Sequence, residues 1–192
     1  TEVMHTPDSC DETQAQYVEV YNTTTDIIDL TALRVSDGNT TSLLTSAPRV
    51  APQSFAYLTV GESLTSCYIN AALPDGSYDA AVTFEQGEPV QIGFGNPLNI
   101  LDDVPIGTFT WTRGVALTLS SDSLTSTAND SESVWCNATD DIAPNSDIRD
   151  RGSPGEANAV CPDRNIGTPQ RLGDELQVGD LVITEVMSSP LH

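Results

Sequence analysis

Hydrophobic and polar residues alternate along this chain in short segments that turn residues separate. In residues 17–21 (YVEVY), the two valines fall on one face of an extended strand, and the tyrosines and Glu19 fall on the other. Pro52, Gly61 and the turn cluster at residues 36–39 (SDGN) bound such segments. Further strands are predicted at residues 28–35, 55–60, 81–84, 90–92, 99–104 and 115–119. The pattern predicts an all-β chain that folds as a β-sandwich of about seven to nine strands.

Beyond the sandwich, the chain divides into a linker and a further strand. No helical repeat of useful length is present, because Pro and Gly interrupt every candidate. Residues 1–161 hold the predicted sandwich, and residues 162–179 are a predicted linker with glycine and proline spread along it. Residues 180–192 begin a new strand, whose predicted pairing residues are Leu181, Val182, Ile183, Thr184, Glu185, Val186 and Met187.

The first seven residues are nearly repeated close to the other end of the sequence. Residues 1–7 read TEVMHTP and residues 184–190 read TEVMSSP, about one domain length apart. Recurrence at that distance is typical of tandem arrays, in which residues 181–187 are the first strand of a following repeat. An extended apolar segment without its own domain is also a template for pairing with another chain. The alternative interpretation is that this strand is only a remnant of a linker.

The charge of the chain excludes several classes of partner. The formal net charge is −21, and all seven cationic side chains are arginines. Nucleic acid is not an expected partner, because phosphate binding requires a basic surface. No apolar run approaches 18 residues, so we expect no membrane insertion, and a secretion signal would lie outside this sequence. The acidic side chains are expected to keep the protein in solution.

Cysteine spacing indicates disulfides in an oxidising compartment. The four cysteines lie far apart, without the close pairs that zinc sites use. Three connectivities are open, and we favour Cys136 with Cys161 and Cys10 with Cys67, because the first pair brackets one loop-rich stretch. Trp135, next to Cys136, is expected to pack at the edge of the core. The protein is therefore predicted to be secreted, in the extracellular space or at a cell surface.

Neither catalytic motifs nor a strong metal motif are present. The sequence has no nucleophile elbow, zinc-protease helix motif or phosphate-binding loop, and its two histidines are poorly placed as bases. We therefore expect no catalytic residues and no enzyme activity. Four acidic residues crowd the loop between Cys136 and Cys161, and calcium suits such oxygen-rich loops. These residues are Asp140, Asp141, Asp147 and Asp150. Calcium is a possible ligand here, the alternative is a solvated acidic loop, and no other cofactor is expected.

Several motifs, taken in order, resemble the lamin tail domain family in its bacterial extracellular branch. The motifs are residues 181–187 (LVITEVM), 17–22 (YVEVYN), 28–30 (IDL), 33–38 (LRVSDG), 50–52 (VAP), 100–104 (ILDDV), 111–119, 135–136 (WC) and 152–158 (GSPGEAN). The resemblance covers nearly all of residues 1–161. It implies an immunoglobulin-like β-sandwich with no catalytic residues, which acts as a binding or assembly module. Residues 87–89 (GEP) depart from the Gly-Asp pair usual in the family at this point.

Two functions are compatible with these observations. The first is a non-enzymatic structural module of a repetitive surface protein or filament, which joins further copies of itself by β-strand pairing through residues 181–187. The alternative is a ligand-binding module, for a glycan or for calcium-dependent adhesion, that localises a secreted enzyme. Exposed aromatic residues in a groove would be the signature of the glycan-binding alternative, with Tyr57, Tyr68, Tyr78 and Trp111 as candidates.

Overall fold

A computed structural model describes residues 1–5, 7–8, 15–46, 48–61, 74–142 and 150–162. Twelve strands lie within these residues: β1 (Glu2–Met4), β2 (Tyr17–Tyr21), β3 (Ile28–Asp29), β4 (Leu33–Ser36), β5 (Thr41–Leu43), β6 (Arg49–Val50), β7 (Phe55–Val60), β8 (Gly76–Tyr78), β9 (Val90–Phe94), β10 (Asn99–Val104), β11 (Leu117–Leu119) and β12 (Trp135–Asn137). Short 3₁₀ turns occupy Ile106–Thr108 and Glu132–Val134. The prediction of an all-β sandwich is confirmed.

Two larger sheets pack face to face, and a two-stranded ribbon of β3 and β6 accompanies them. The first sheet has the order β12-β11-β1-β2-β7-β8, and all of its pairs are antiparallel except β7 with β8. The second sheet has the antiparallel order β10-β9-β4-β5. Strand β1 therefore lies inside the first sheet, between β11 and β2.

The first sheet is buried on both of its faces. Towards the second sheet, Val3 and Val18 join a core that also contains Val35 and Val90 from β4 and β9. On the opposite face, a smaller cluster of Met4, Tyr17 and Tyr57 packs against Ala116, Ala138 and Ile142. Both faces of β1 and β2 therefore carry buried side chains, including the polar ones at Glu2 and Glu19.

Four predicted strands differ from those observed, one of them only in length, since β9 continues past residue 92 to Phe94. Residues 28–35 form two strands rather than one, because the Asp29 carboxylate accepts a hydrogen bond from Thr31 N (3.0 Å) and turns the chain. Residues 81–84 form no strand, because a turn closes from Val82 N to Asp79 O (3.0 Å). The strand predicted at residues 115–119 begins only at Leu117, after another turn.

Strand β8 departs most from a hydrophobic pattern, and close packing explains why. It reads GSY and runs parallel to β7. A Cβ atom on Gly76 would lie 2.6 Å from the Ser46 carbonyl oxygen, so no larger residue fits without a shift of the main chain. None of the helices within the described ranges has the length and apolar character needed to cross a membrane.

Candidate functional site

The carboxylate of Glu2 lies fully buried in the middle of the first sheet. In the sheet, Glu2 is opposite Glu19 of β2 and Thr118 of β11. Its Oε1 accepts a hydrogen bond from the Tyr17 hydroxyl at 2.6 Å. Ser153 donates its N–H to both carboxylate oxygens at 3.0 Å and its hydroxyl to Oε2 at 3.0 Å. A buried acid is tolerated here because each oxygen has donors.

Residues 152–158 form a segment that lies over β1 and β2 and holds them by hydrogen bonds. Gly155 N donates to Glu19 Oε2 at 2.8 Å. The Asn158 side-chain amide donates to Thr1 O at 2.9 Å and to Leu119 O at 3.1 Å. The Ser153 hydroxyl lies 3.1 Å from Asn158 Oδ1, so this oxygen and Glu2 Oε2 share its one proton. The segment therefore contacts the main chain of Thr1, the side chain of Glu2 in β1 and the side chain of Glu19 opposite it.

Gly152 allows this segment to approach the first sheet. A Cβ atom at this position would lie 2.2 Å from the Tyr17 hydroxyl oxygen and 2.5 Å from Glu2 Oε1. Both distances are far below van der Waals contact, so a side chain here would displace the hydrogen bond between Tyr17 and Glu2. Glycine is required here by the close approach of the chain.

Burial sets the protonation of the two strand acids. Loss of hydration raises the pKa of Glu2 to about 7, although the hydrogen bonds from Tyr17 and Ser153 act in the opposite direction. Loss of hydration also raises the pKa of Glu19, while the Thr1 amino group, the Thr1 hydroxyl and Gly155 N–H oppose that rise. These carboxyl groups therefore gain protons more readily than solvated ones.

An apolar cavity of about 560 Å³ lies between the two sheets at the Thr1 end of β1. Most of its lining is apolar and comes from both sheets, and includes Val18, Val20, Ile92, Phe94, Leu124 and Trp135. Val20, Ile92, Phe94 and Leu124 are only partly buried. Thr1 and Asp102 also line the cavity. The fold thus leaves apolar surface exposed beside the point where β1 begins.

No family model, curated protein or solved structure matches this chain. The resemblance to the lamin tail domain therefore stays a prediction.

A disulfide joins Cys136 of β12 to Cys161, with the two Cα atoms 5.7 Å apart. This is one of the two pairings favoured by the sequence, and it fits an oxidising compartment. Cys10 and Cys67 lie outside the described residues. The bond fastens the end of the 152–158 segment to the outermost strand of the first sheet, beside β11.

Replacing both Cys136 and Cys161 by serine is expected to lower the free energy of unfolding by about 2–4 kcal/mol, because the 25-residue loop is no longer closed in the unfolded chain. Urea denaturation without reductant measures the difference. The matched control is the double variant Cys10→Ser, Cys67→Ser, which keeps the Cys136–Cys161 bond. An unchanged unfolding midpoint in the first variant would contradict the expectation.

The four acids proposed for calcium are only partly described, since Asp147 lies outside the described residues. Asp140 and Asp141 are exposed, whereas Asp150 is fully buried and its Oδ1 accepts a hydrogen bond from Asp8 N at 3.0 Å. Within the described ranges, no group of three or more His, Cys, Asp or Glu residues is placed to hold a metal ion. The calcium site stays a prediction.

The aromatic residues considered for glycan binding are largely internal. Tyr57 and Tyr78 are at most 1% exposed. Trp111 is partly buried, stacks edge-on against His5, and donates its Nε1–H to Ile106 O at 2.8 Å. Tyr68 lies outside the described residues. The three described rings are therefore used in packing rather than arranged along an open groove.

Sequence reasoning did not select Glu2, Glu19, Ser153 or Asn158 as site residues. Alternation placed Glu19 on the same face as Tyr17 and Tyr21, which gave no indication that this face is covered. The signal that pointed to these positions was the GSPGEAN motif at residues 152–158, together with the repeated TEVM. The predicted pairing residues themselves, Leu181 to Met187, lie outside the described residues.

Proposed function

We propose that this chain is an extracellular structural module of a repetitive surface protein or filament. It joins neighbouring copies by β-strand pairing through residues 181–187, and it is not an enzyme. The proposal includes the immunoglobulin-like form of the sandwich and the relationship to the lamin tail domain, for which the ordered motifs give support.

The observation that carries the proposal is the role of the TEVM sequence in the fold. In its first occurrence, at residues 1–4, Glu2–Met4 forms a buried strand with neighbours on both sides. Residues 184–187 have the same four side chains in the same order. As a strand between two others, this sequence has its main chain paired on both edges and its side chains buried. The second occurrence is therefore suited to pairing in a sheet of another copy.

Two further properties support a place outside the cell. The Cys136–Cys161 disulfide is favoured by an oxidising environment. A net charge of −21 without lysine keeps separate copies soluble, and salt screens their mutual repulsion. Assembly in physiological salt therefore requires an apolar contact, such as strand pairing, to bring the copies together.

Deleting residues 162–192 is expected to abolish assembly, because the strand that joins one copy to the next is removed. The measurement is the molar mass by size-exclusion chromatography with multi-angle light scattering, over a series of concentrations in physiological salt. The full chain should form species larger than the monomer, and the deleted chain should elute as a monomer.

The matched control keeps residues 180–192 and replaces residues 163–179 by a Gly/Ser sequence of the same length. This variant should assemble like the original chain, because the strand is retained. If the deletion leaves the distribution of molar mass unchanged, pairing through residues 181–187 is not how copies join.

A further inference from the structure

We propose that Asn39, at the tip of the hairpin between β4 and β5, carries an N-linked glycan that is attached to the folded protein. An asparagine followed two positions later by serine or threonine is the acceptor signal for this modification, provided that proline does not lie between them. The chain contains this signal at Asn22, Asn39, Asn129 and Asn137. The inference goes beyond the proposed function and rests only on its extracellular location.

Exposure separates the four signals, all of which lie in described residues. In residues 39–41 (NTT), the first and third residues are exposed and the middle one is partly buried. Each of the other signals contains a buried residue, since Asn22, Asn129 and Ala138 are 4%, 7% and 7% exposed. A glycan is bulky and hydrated, so its acceptor amide must reach solvent and the chain around that amide must be able to enter an enzyme. Of the four signals, the one at Asn39 meets both requirements.

The buried amides of Asn22 and Asn129 already make hydrogen bonds inside the fold. Asn22 Nδ2 lies 2.8, 3.1 and 3.0 Å from three main-chain carbonyl oxygens. Asn129 Nδ2 donates to Asp102 Oδ2 at 2.8 Å. A sugar on either nitrogen would replace a proton and would need space that the packed chain occupies. Neither residue is therefore an acceptor in the folded protein.

The Asn137 side chain is exposed, but the chain around it is held in the first sheet. Asn137 ends β12 and lies opposite Leu117 of β11. The next residue, Ala138, donates its N–H to Ala116 O at 2.9 Å and belongs to the smaller core cluster. An enzyme that binds this signal would have to break that hydrogen bond and remove Ala138 from the cluster. We therefore expect no transfer to Asn137 while the protein is folded.

A buried side chain fixes the turn that carries Asn39. Asp37 is 3% exposed, and its Oδ1 accepts hydrogen bonds from Asn39 N at 2.8 Å and from Thr40 N at 2.6 Å. Gly38 has a φ of 90°, which glycine adopts without strain. The turn is held from its inner side, and the side chain of Asn39 is left in solvent.

Glycosylation of Asn39 removes no buried contact. Its side-chain amide donates to Glu88 Oε1 at 2.7 Å in an exposed hydrogen bond. In the transfer, Asn39 Nδ2 forms a bond to C1 of the first sugar of a lipid-linked oligosaccharide pyrophosphate. The bond between C1 and the pyrophosphate oxygen breaks, its electron pair leaves with that oxygen, and the amide nitrogen loses one proton. The nitrogen keeps its other proton, so the modified side chain can still donate to Glu88.

The acceptor test uses the purified, folded full chain with a single-subunit oligosaccharyltransferase and its lipid-linked oligosaccharide. Intact mass spectrometry should show the addition of one glycan, and peptide mapping should place it on Asn39. Asn39→Gln should reduce incorporation about tenfold or more, because glutamine keeps the amide but is not an acceptor. Asn137→Gln is the matched control and should leave incorporation unchanged.

Two variants of Thr41 test the signal separately from the fold. Thr41→Val keeps a β-branched side chain at the first position of β5 but removes the hydroxyl, so incorporation should fall as far as in Asn39→Gln. Thr41→Ser keeps the hydroxyl and should retain transfer. Far-ultraviolet circular dichroism confirms that both variants fold.

The protein isolated from the cells that produce it provides the second measurement, and its Asn39 peptide should carry a glycan. Three results would overturn the inference: no transfer to the folded chain, transfer to one of the other three asparagines in place of Asn39, and an unmodified Asn39 in the isolated protein. Assembly is measured by molar mass and glycosylation by the Asn39 peptide. If the chain assembles with Asn39 unmodified, this inference fails and the proposed function stands.

Discussion

Replacing Trp135 by alanine is expected to lower the free energy of unfolding by about 3–5 kcal/mol, the range for large aromatic residues in a core. The side chain is 2% exposed. Its ring packs against Phe109 with 6.2 Å between centroids, and its Nε1–H donates to Asn129 O at 2.8 Å. Truncation leaves a cavity next to the one already present, and Asn129 O loses its donor.

Urea denaturation followed by far-ultraviolet circular dichroism measures this loss without using tryptophan fluorescence. Trp135→Phe is the conservative comparison, since phenylalanine keeps most of the apolar contact but cannot donate to Asn129 O. The free energy of unfolding should therefore fall clearly less in Trp135→Phe than in the alanine variant. A loss below about 1 kcal/mol for alanine would mean that this ring does not anchor β12 to the core.

Lowering the pH from 8 to 5 is expected to stabilise the fold by about 2–3 kcal/mol through Glu2. Burial raises the pKa of Glu2 from 4.5 to about 7 in the folded protein. Between these values the folded state binds more protons than the unfolded state, so stability falls as the pH rises. The contribution is complete below pH 4.5 and is lost as the pH rises through 7. The raised pKa of Glu19 acts in the same direction.

Denaturant midpoints over this pH range measure the slope. Glu2→Gln removes the titrating group, and the slope should become smaller, with the remainder due to Glu19 and to the general repulsion of a highly negative chain. Glu156→Gln, at an exposed residue of the 152–158 segment, is the matched control and should keep the original slope. If Glu2→Gln keeps the slope of the original chain, the pKa of Glu2 is not raised in the folded protein.

The alternation of hydrophobic and polar residues was sufficient to locate strands that have one apolar and one polar face. The bounds of β2, β7 and β10 agree with the prediction to the residue. It failed where a strand has only three residues and a single large hydrophobic one, as in β8 (GSY) and β5 (TSL), because so short a segment shows no alternation of its own and forms through contacts made by the rest of the sheet. The hydrogen bond that Thr31 N donates to the Asp29 carboxylate interrupts a strand that the hydrophobic pattern predicted as continuous.

The candidate site was harder to predict for a different reason. A glutamate in an alternating segment normally marks the solvent face, so sequence pattern assigned Glu2 and Glu19 no role. Their burial depends on residues 152–158, which lie far away along the chain and pack over the first sheet. The cavity depends on the spacing of two sheets, and local sequence does not encode that distance. The repeated TEVM and the GSPGEAN motif at residues 152–158 were the parts of the site visible in the sequence.

The disulfide determines how the domain would respond to a pulling force applied at its two ends. Tension applied at Cys161 passes through the bond to Cys136, and then through β12 and β11 to the neighbouring β1. When the sandwich is pulled apart, the chain between the two cysteines, which are 25 positions apart, adds nothing to the extension, and this shortens the released length by roughly 8–9 nm. A string of such domains would therefore lengthen in smaller steps under oxidising conditions than after reduction, and single-molecule stretching can read that step directly.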